Sequence, residues 1–143
     1  MAGKKTDASG DAMLVVAGAL HRADGRWLLH RRPPGKHHAG LWEFPGGKVE
    51  ASENPSQALV RELEEELGIR CETAALVPEA FAETGEAEAG QPIVILLYSI
   101  GAWQGEPQAL EGGAIDWFTL QEIDLLAKPP LDAALALRLF EKR

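Results

Sequence analysis

The sequence predicts an α/β (α+β) fold in which helices cover a mixed β-sheet. Three observations carry that expectation. β-favouring runs stand before, between and after two helical segments; the first helical segment has start and stop signals at both ends; and no internal repeat or low-complexity block interrupts the chain. With 143 residues, one domain would bury roughly two thirds of the surface its unfolded chain exposes. Residues 1–11, the polar stretch MAGKKTDASGD, are expected to form a disordered tail, and residues 12–143 a single domain.

The elements follow in order. Met13 to Leu20 is a first strand, Ala23-Asp24-Gly25 a turn, and Arg26 to Arg32 a second strand completing a hairpin. Pro33-Pro34-Gly35 ends it. A loop with Lys36, His37 and His38 leads to a short strand, Leu41 to Phe44, which Pro45-Gly46-Gly47 stops. Asn54 as N-cap, Pro55 at the first helical position, Gln57 completing a capping box and Gly68 past the end bound a helix over Pro55 to Leu67. Strands are expected near Ala74–Phe81, Ile93–Trp103 and Ile115–Leu120, with the acidic ETGEAEAGQ as a hairpin tip and GEPQALEGG as a turn-rich link. Pro129-Pro130 opens a helix over Leu131 to Phe140, whose Leu131, Leu135 and Leu139 share one face.

Composition narrows the function classes. A net charge of -8 argues against partners such as nucleic acid polymers or anionic membranes, which demand a basic surface. Small anions remain open through local basic patches or bound cations. The single cysteine, Cys71, forms no intrachain disulfide and suits a reducing cytoplasm. Lys4 and Lys5 ahead of AMLVVAGAL loosely mimic a secretory signal, but Asp7 and Asp11 break the charge pattern and a buried strand explains the run equally well. No apolar stretch approaches the roughly 20 residues that span a bilayer.

The helix poses a question, because its RELEEEL run packs four glutamates beside an apolar stripe. At about 100° per residue, Ala58, Glu62, Glu65 and Glu66 fall in one arc and Leu59, Val60, Leu63 and Leu67 in the next, while Glu64 projects to the far side near Arg61. A solvated acidic face would interleave lysines four residues on; this helix has none, and Arg61 lies to the side. Something positive is missing from that arc. Mg²⁺ or Mn²⁺ takes clustered carboxylate oxygens and completes its shell with water and substrate phosphates.

The residues around the run turn an acidic helix into a motif. Gly47, Glu53, Arg61, Glu62, Leu63, Glu65, Glu66, Gly68 and Ile69 fill every defined position of G-x5-E-x7-R-E-U-x-E-E-x-G-U, where U is bulky and apolar. This resembles the box of the Nudix hydrolases. LWEFPGG before it and the layout of the rest extend the resemblance from Met13 almost to the end, particularly to the MutT-type nucleoside triphosphate pyrophosphohydrolases. Gly46-Gly47-Lys48 is not a P-loop, since it lacks the spacer and the Ser or Thr.

The resemblance implies an α/β/α sandwich with a mixed sheet and a loop-helix-loop box. It implies that Glu62, Glu65 and Glu66, with the Gly46 carbonyl, hold Mg²⁺, for which Mn²⁺ substitutes. Glu111 looks like the additional metal-binding or base glutamate of MutT-type enzymes. Gly47, Glu53 and Arg61 would support the box, Glu53 by pairing with Arg61.

The reaction implied is attack of a metal-activated water on a nucleoside triphosphate, 8-oxo-dGTP or dGTP first, yielding the monophosphate and pyrophosphate. Glu62 is the first candidate for general base, with Glu65 and Glu111 as competitors. Arg32 and His37 match positions that contact the nucleotide, and Glu43, Phe44, Pro45 and Gly46 resemble the strand lining the nucleoside pocket. Asp132 stands where MutT carries an asparagine, a departure; an ionised Asp only accepts hydrogen bonds and so suits N–H donors of guanine, 8-oxoguanine or cytosine. CTP-type, dinucleoside polyphosphate or ADP-sugar hydrolysis is the alternative, and a nucleotide-sensing or lesion-recognition module without turnover is the alternative of another class. Monomer and homodimer both remain open.

Overall fold

The computed structural model describes residues 11–85 and 90–143, so residues 1–10 of the expected tail and residues 86–89 of the expected hairpin tip lie outside the described residues. In chain order the elements are β1 Met13–Leu20, β2 Trp27–Arg31, β3 Trp42–Glu43, β4 Gly46–Lys48, α1 Pro55–Leu67, β5 Leu76–Glu83, β6 Ile93–Ile100, β7 Ala114–Phe118, α2 Leu120–Leu125 and α3 Pro130–Glu141. A single 3-10 turn, Thr73–Ala75, precedes β5 where the sequence predicted strand.

The strands form two sheets rather than one. A four-stranded mixed sheet runs β4-β1-β6-β5, and a three-stranded antiparallel sheet runs β3-β2-β7. β1 pairs in parallel with β6 over its whole length, Met13 opposite Ile93 and Leu20 opposite Ile100. The expected β1–β2 hairpin is therefore a corner: the strands belong to different sheets, and an isolated bridge from His21 to Trp27 marks the turn.

Alternation along β1 explains the layering. Val16 and Leu20 face α1, where Leu28, Leu59, Leu63, Leu67 and Ile100 complete one core. Ala17 and Ala19 face the other way, onto Trp27, Leu29, Phe44, Leu97, Ile123, Leu135 and Leu139 in the second core. Gly18 lies on the α1 side, where an added Cβ would come within 3.2 Å of Ile100 and 3.5 Å of Leu63, so its absence lets the helix approach.

Helix α1 begins and ends where its signals place it. The Asn54 side chain accepts from the Gln57 amide at 2.9 Å and the Gln57 side chain accepts from the Asn54 amide at 3.0 Å. Gly68 closes it in the left-handed region at φ 72°. Helix α2 is an addition, because Leu120 was read as the end of a strand. Its signal was present: Thr119 and Glu122 form a second capping box, with the hydroxyl accepting from the Glu122 amide at 3.2 Å. No helix among the described residues is long and apolar enough to cross a membrane.

Candidate functional site

The stretch expected to stop a strand instead makes one. Gly46–Lys48 pairs antiparallel with β1, Val16 opposite Gly47 and Ala17 opposite Gly46. Both glycines are there for space. A Cβ on Gly46 would stand 1.9 Å from the Val16 carbonyl oxygen, and one on Gly47 would stand 2.4 Å from the Glu62 carboxylate. The glycine pair thus brings β4 against both β1 and the acidic flank of α1.

Arg61 corrects the expectation that α1 lacks a positive partner. Its Nε and Nη2 donate to the two oxygens of Glu53 at 2.6 and 2.9 Å, and Nη1 donates to Glu62 at 3.1 Å and Glu65 at 3.2 Å. Nη2 also donates to the Lys48 carbonyl at 3.0 Å, tying the helix to β4. These bonds raise the Arg61 pKa, with Glu53 the largest cause, and hold the Glu53 carboxyl below the usual carboxylate range. Glu65, with its side chain 52% exposed, is the more solvated end of this network.

More deeply buried than Glu62 is the carboxyl of Glu66. Burial first, then the charges of Glu62, Glu43 and Glu111, push its carboxyl up to about 9. Glu62 also shifts up, burial outweighing its bond to Arg61.

Glu66 lines a cavity of about 450 Å³ together with Glu43, Gly46, Glu111, His30, Arg32, Pro33 and Lys36. Carboxylates and the cations Arg32 and Lys36 thus line the same space. Glu62 and Glu65 are turned onto Arg61 and are not among the lining residues.

Glu111 comes from the link between β6 and β7. That link is sewn to the C-terminal end of α1 by the Gln108 amide donating to the Leu67 carbonyl and the Leu110 amide to the Glu66 carbonyl, both at 3.0 Å. The orphan carbonyls of a helix end are used to fix a loop.

Among the described residues no three His, Cys, Asp or Glu side chains form a ready-made cage for an ion. Mg²⁺ needs no such cage, since it is held by one or two carboxylates and completes its octahedron with water and phosphate. The donors present fit a hard cation: the carboxylate oxygens of Glu43, Glu66 and Glu111 beside the Gly46 backbone.

A second cavity of about 430 Å³ shares Arg32 and Glu43 with the first and is lined also by His37, His38, Asp132, Ile93, Ile95 and Pro129. Arg32 Nη1 donates to both Glu43 oxygens, at 3.0 and 3.2 Å, and its Nε donates to the His37 carbonyl at 2.5 Å. Arg32 therefore forms the wall between the two spaces.

Asp132 is buried at the start of α3, against the Phe44 backbone. It is 7% exposed, burial pushes its carboxyl up to about 7, and its Oδ2 already accepts from the Phe44 amide at 3.0 Å. Phe44 itself packs in the core and the Pro45 carbonyl accepts from the Gly18 amide at 2.8 Å, so both contribute backbone placement. His30, buried on β2 with its ring in the first cavity, went unread in the sequence; a histidine inside the apolar run WLLHR was its signal.

Comparison with known proteins agrees with this geometry. The model of the NUDIX domain matches residues 12–140. The chain is 40% identical over 123 residues to the CTP pyrophosphohydrolase of Escherichia coli strain K12, covering 86% of this chain and 88% of that one. It is 38% identical over 128 residues to the 8-oxo-dGTP diphosphatase of Haemophilus influenzae, covering 90% and 91%. Among solved structures, that of the E. coli ORF135 protein superposes with a TM-score of 0.81 at 34% identity, covering 96% of this chain and 94% of that one. The MutT Nudix hydrolase of Burkholderia pseudomallei superposes with a TM-score of 0.76 at 32% identity, covering 93% and 99%. With its box complete, its mixed sheet between helices and a family match over nearly its whole length, the chain belongs to the Nudix family of hydrolases.

Proposed function

We propose that this protein hydrolyses a (deoxy)nucleoside triphosphate to the monophosphate and pyrophosphate, 8-oxo-dGTP or dGTP first, with Mg²⁺ as its cofactor and the cytoplasm as its place of work. The observation that carries the proposal is the first cavity, which Glu43, Glu66 and Glu111 line together with Arg32 and Lys36. A polyphosphate in that space has both cationic side chains and metal-holding carboxylates within reach.

Mg²⁺ held by Glu66, Glu111 and the Gly46 carbonyl, with Glu62 and Glu65 in reserve on Arg61, would neutralise phosphate charge and make water a better nucleophile. Arg32 and Lys36 orient the phosphates. Water oxygen attacks phosphorus, the bridging P–O bond breaks, pyrophosphate leaves with the electron pair, and a carboxylate takes the water's proton. Glu111, which lines the cavity while Glu62 and Glu65 are engaged by Arg61, is the better placed acceptor. The second cavity, with Asp132 and His37, takes the nucleoside.

The CTP pyrophosphohydrolase relative favours a second reading, in which the base is cytosine. A carboxyl that titrates near neutrality both donates and accepts, so Asp132 is able to meet either base. The test is a comparison of kcat/KM for 8-oxo-dGTP, dGTP, CTP and ADP-ribose at fixed Mg²⁺, repeated with Asp132→Asn. A preference for 8-oxo-dGTP that Asp132→Asn alters supports the first reading, a preference for CTP the second, and no turnover of any of them removes both.

A further inference from the structure

His30 lies where three parts of the site meet. Its Nε2 is 2.9 Å from the Gly112 carbonyl oxygen, so that nitrogen carries the hydrogen and donates it. Its Nδ1 is buried without a hydrogen-bond partner, and Glu43 Oε2 stands 3.5 Å away, an electrostatic contact longer than a full hydrogen bond. The ring itself faces the first cavity.

What it holds needs holding. Glu111 is followed by Gly112 and Gly113, both in the left-handed region at φ 93° and 77°. Two consecutive glycines have the largest conformational freedom a chain offers, so a carboxylate beside them is poorly placed unless the backbone is fixed. On its N-terminal side the loop is fixed by α1 through the Leu110 and Gln108 amides. On its C-terminal side, before β7 pairing begins at Ala114 opposite Arg31, the side-chain bond to the Gly112 carbonyl comes from His30. The fit is close there: a Cβ on Gly113 would stand 2.1 Å from the Arg31 carbonyl oxygen and 2.9 Å from His30 Nε2.

We infer that His30 is a positioning residue for the hydrolysis, latching the Glu111 loop over the cavity through the hydrogen bond from its ring to the Gly112 carbonyl. The inference rests on the reading of Glu111 as a site carboxylate. The ring bonds the loop backbone, so its effect passes through Glu111.

The test compares His30→Gln, which keeps an N–H donor on that side chain, with His30→Leu, which fills the space and donates nothing. His30→Leu is expected to lower kcat about tenfold, the cost of losing an orienting partner one shell out, with KM within about a factor of two. His30→Gln is expected to recover at least about half of the wild-type kcat, and amide hydrogen exchange over Ala109 to Gly113 is expected to quicken in His30→Leu alone. In a Glu111→Gln background the His30→Leu loss should vanish, because the residue it positions has already been disabled. Losses that multiply in the double variant, or loop exchange that stays as in the wild type, overturn the inference. Absence of hydrolysis in the wild type would remove the functional reading, while the exchange measurement would still decide for or against the latch.

Discussion

The Glu66 carboxyl is buried among Glu62, Glu43 and Glu111, and its proton affinity makes it a gauge of the site. The folded protein keeps this proton at pH values where the unfolded chain releases it. The associated stability is therefore fully present below the ordinary carboxylate value of 4.5 and is lost as pH rises to about 9. Asp132 acts with the same sign between 3.8 and about 7. In EDTA, the melting temperature is expected to fall from pH 5 to pH 9, and Glu66→Gln should flatten the part of that fall above pH 7, beyond the range of Asp132. The same substitution should cost at least about a hundredfold in kcat, since it removes a negatively charged oxygen donor from the cavity. A Glu66→Gln variant as active as the wild type would detach the cavity from catalysis.

At the scale of elements, β4 and α1 are coupled by two adjacent glycines with different neighbours. Gly46→Ala drives a Cβ into the Val16 backbone carbonyl, which cannot move without β1, so it should destabilise the protein by about 1 to 3 kcal/mol or more in urea unfolding. Gly47→Ala meets the end of the Glu62 side chain, which can swing away from Arg61. Its expected signature is a smaller loss of stability in urea unfolding than that of Gly46→Ala, because a side-chain end gives way more cheaply than backbone. Asn54→Ala tests the helix start separately: losing the capping box should cost about 1 kcal/mol and leave kcat unchanged, because Asn54 touches neither cavity. Measured together, these variants separate what holds the box from what the box holds.

For the whole molecule, a net charge of -8 on a protein proposed to bind an anion makes the cation the natural mediator. Mg²⁺ at a hundredfold excess over its Kd should stabilise the protein by about 2.7 kcal/mol. The gain in melting temperature should be larger at pH 8 than at pH 6, since protons compete for the same carboxylates. A melting temperature indifferent to Mg²⁺ at both pH values would sink the metal assignment. Much of this was legible along the chain, because it depends on neighbours in sequence: the capping box at Asn54 and Gln57, the αL stop at Gly68, the apolar run of β1 and the box pattern from Gly47 to Ile69 are all local. The helix α2 is equally local, in Thr119 and Glu122, but the β-favouring run of Ile115 to Leu120 overlaps its cap and first residue. Other features depend on contacts between distant segments, which no spacing encodes. The two sheets in place of one, His30 against Gly112 and the burial that brings Asp132 near neutrality all arise that way. Sequence by itself determined the elements, their caps and the family chemistry, since each is set within a few turns of chain. Which carboxylates share a low-dielectric space was decided only by the packing of α1, β4 and the Glu111 loop, since charge interactions follow distance in space.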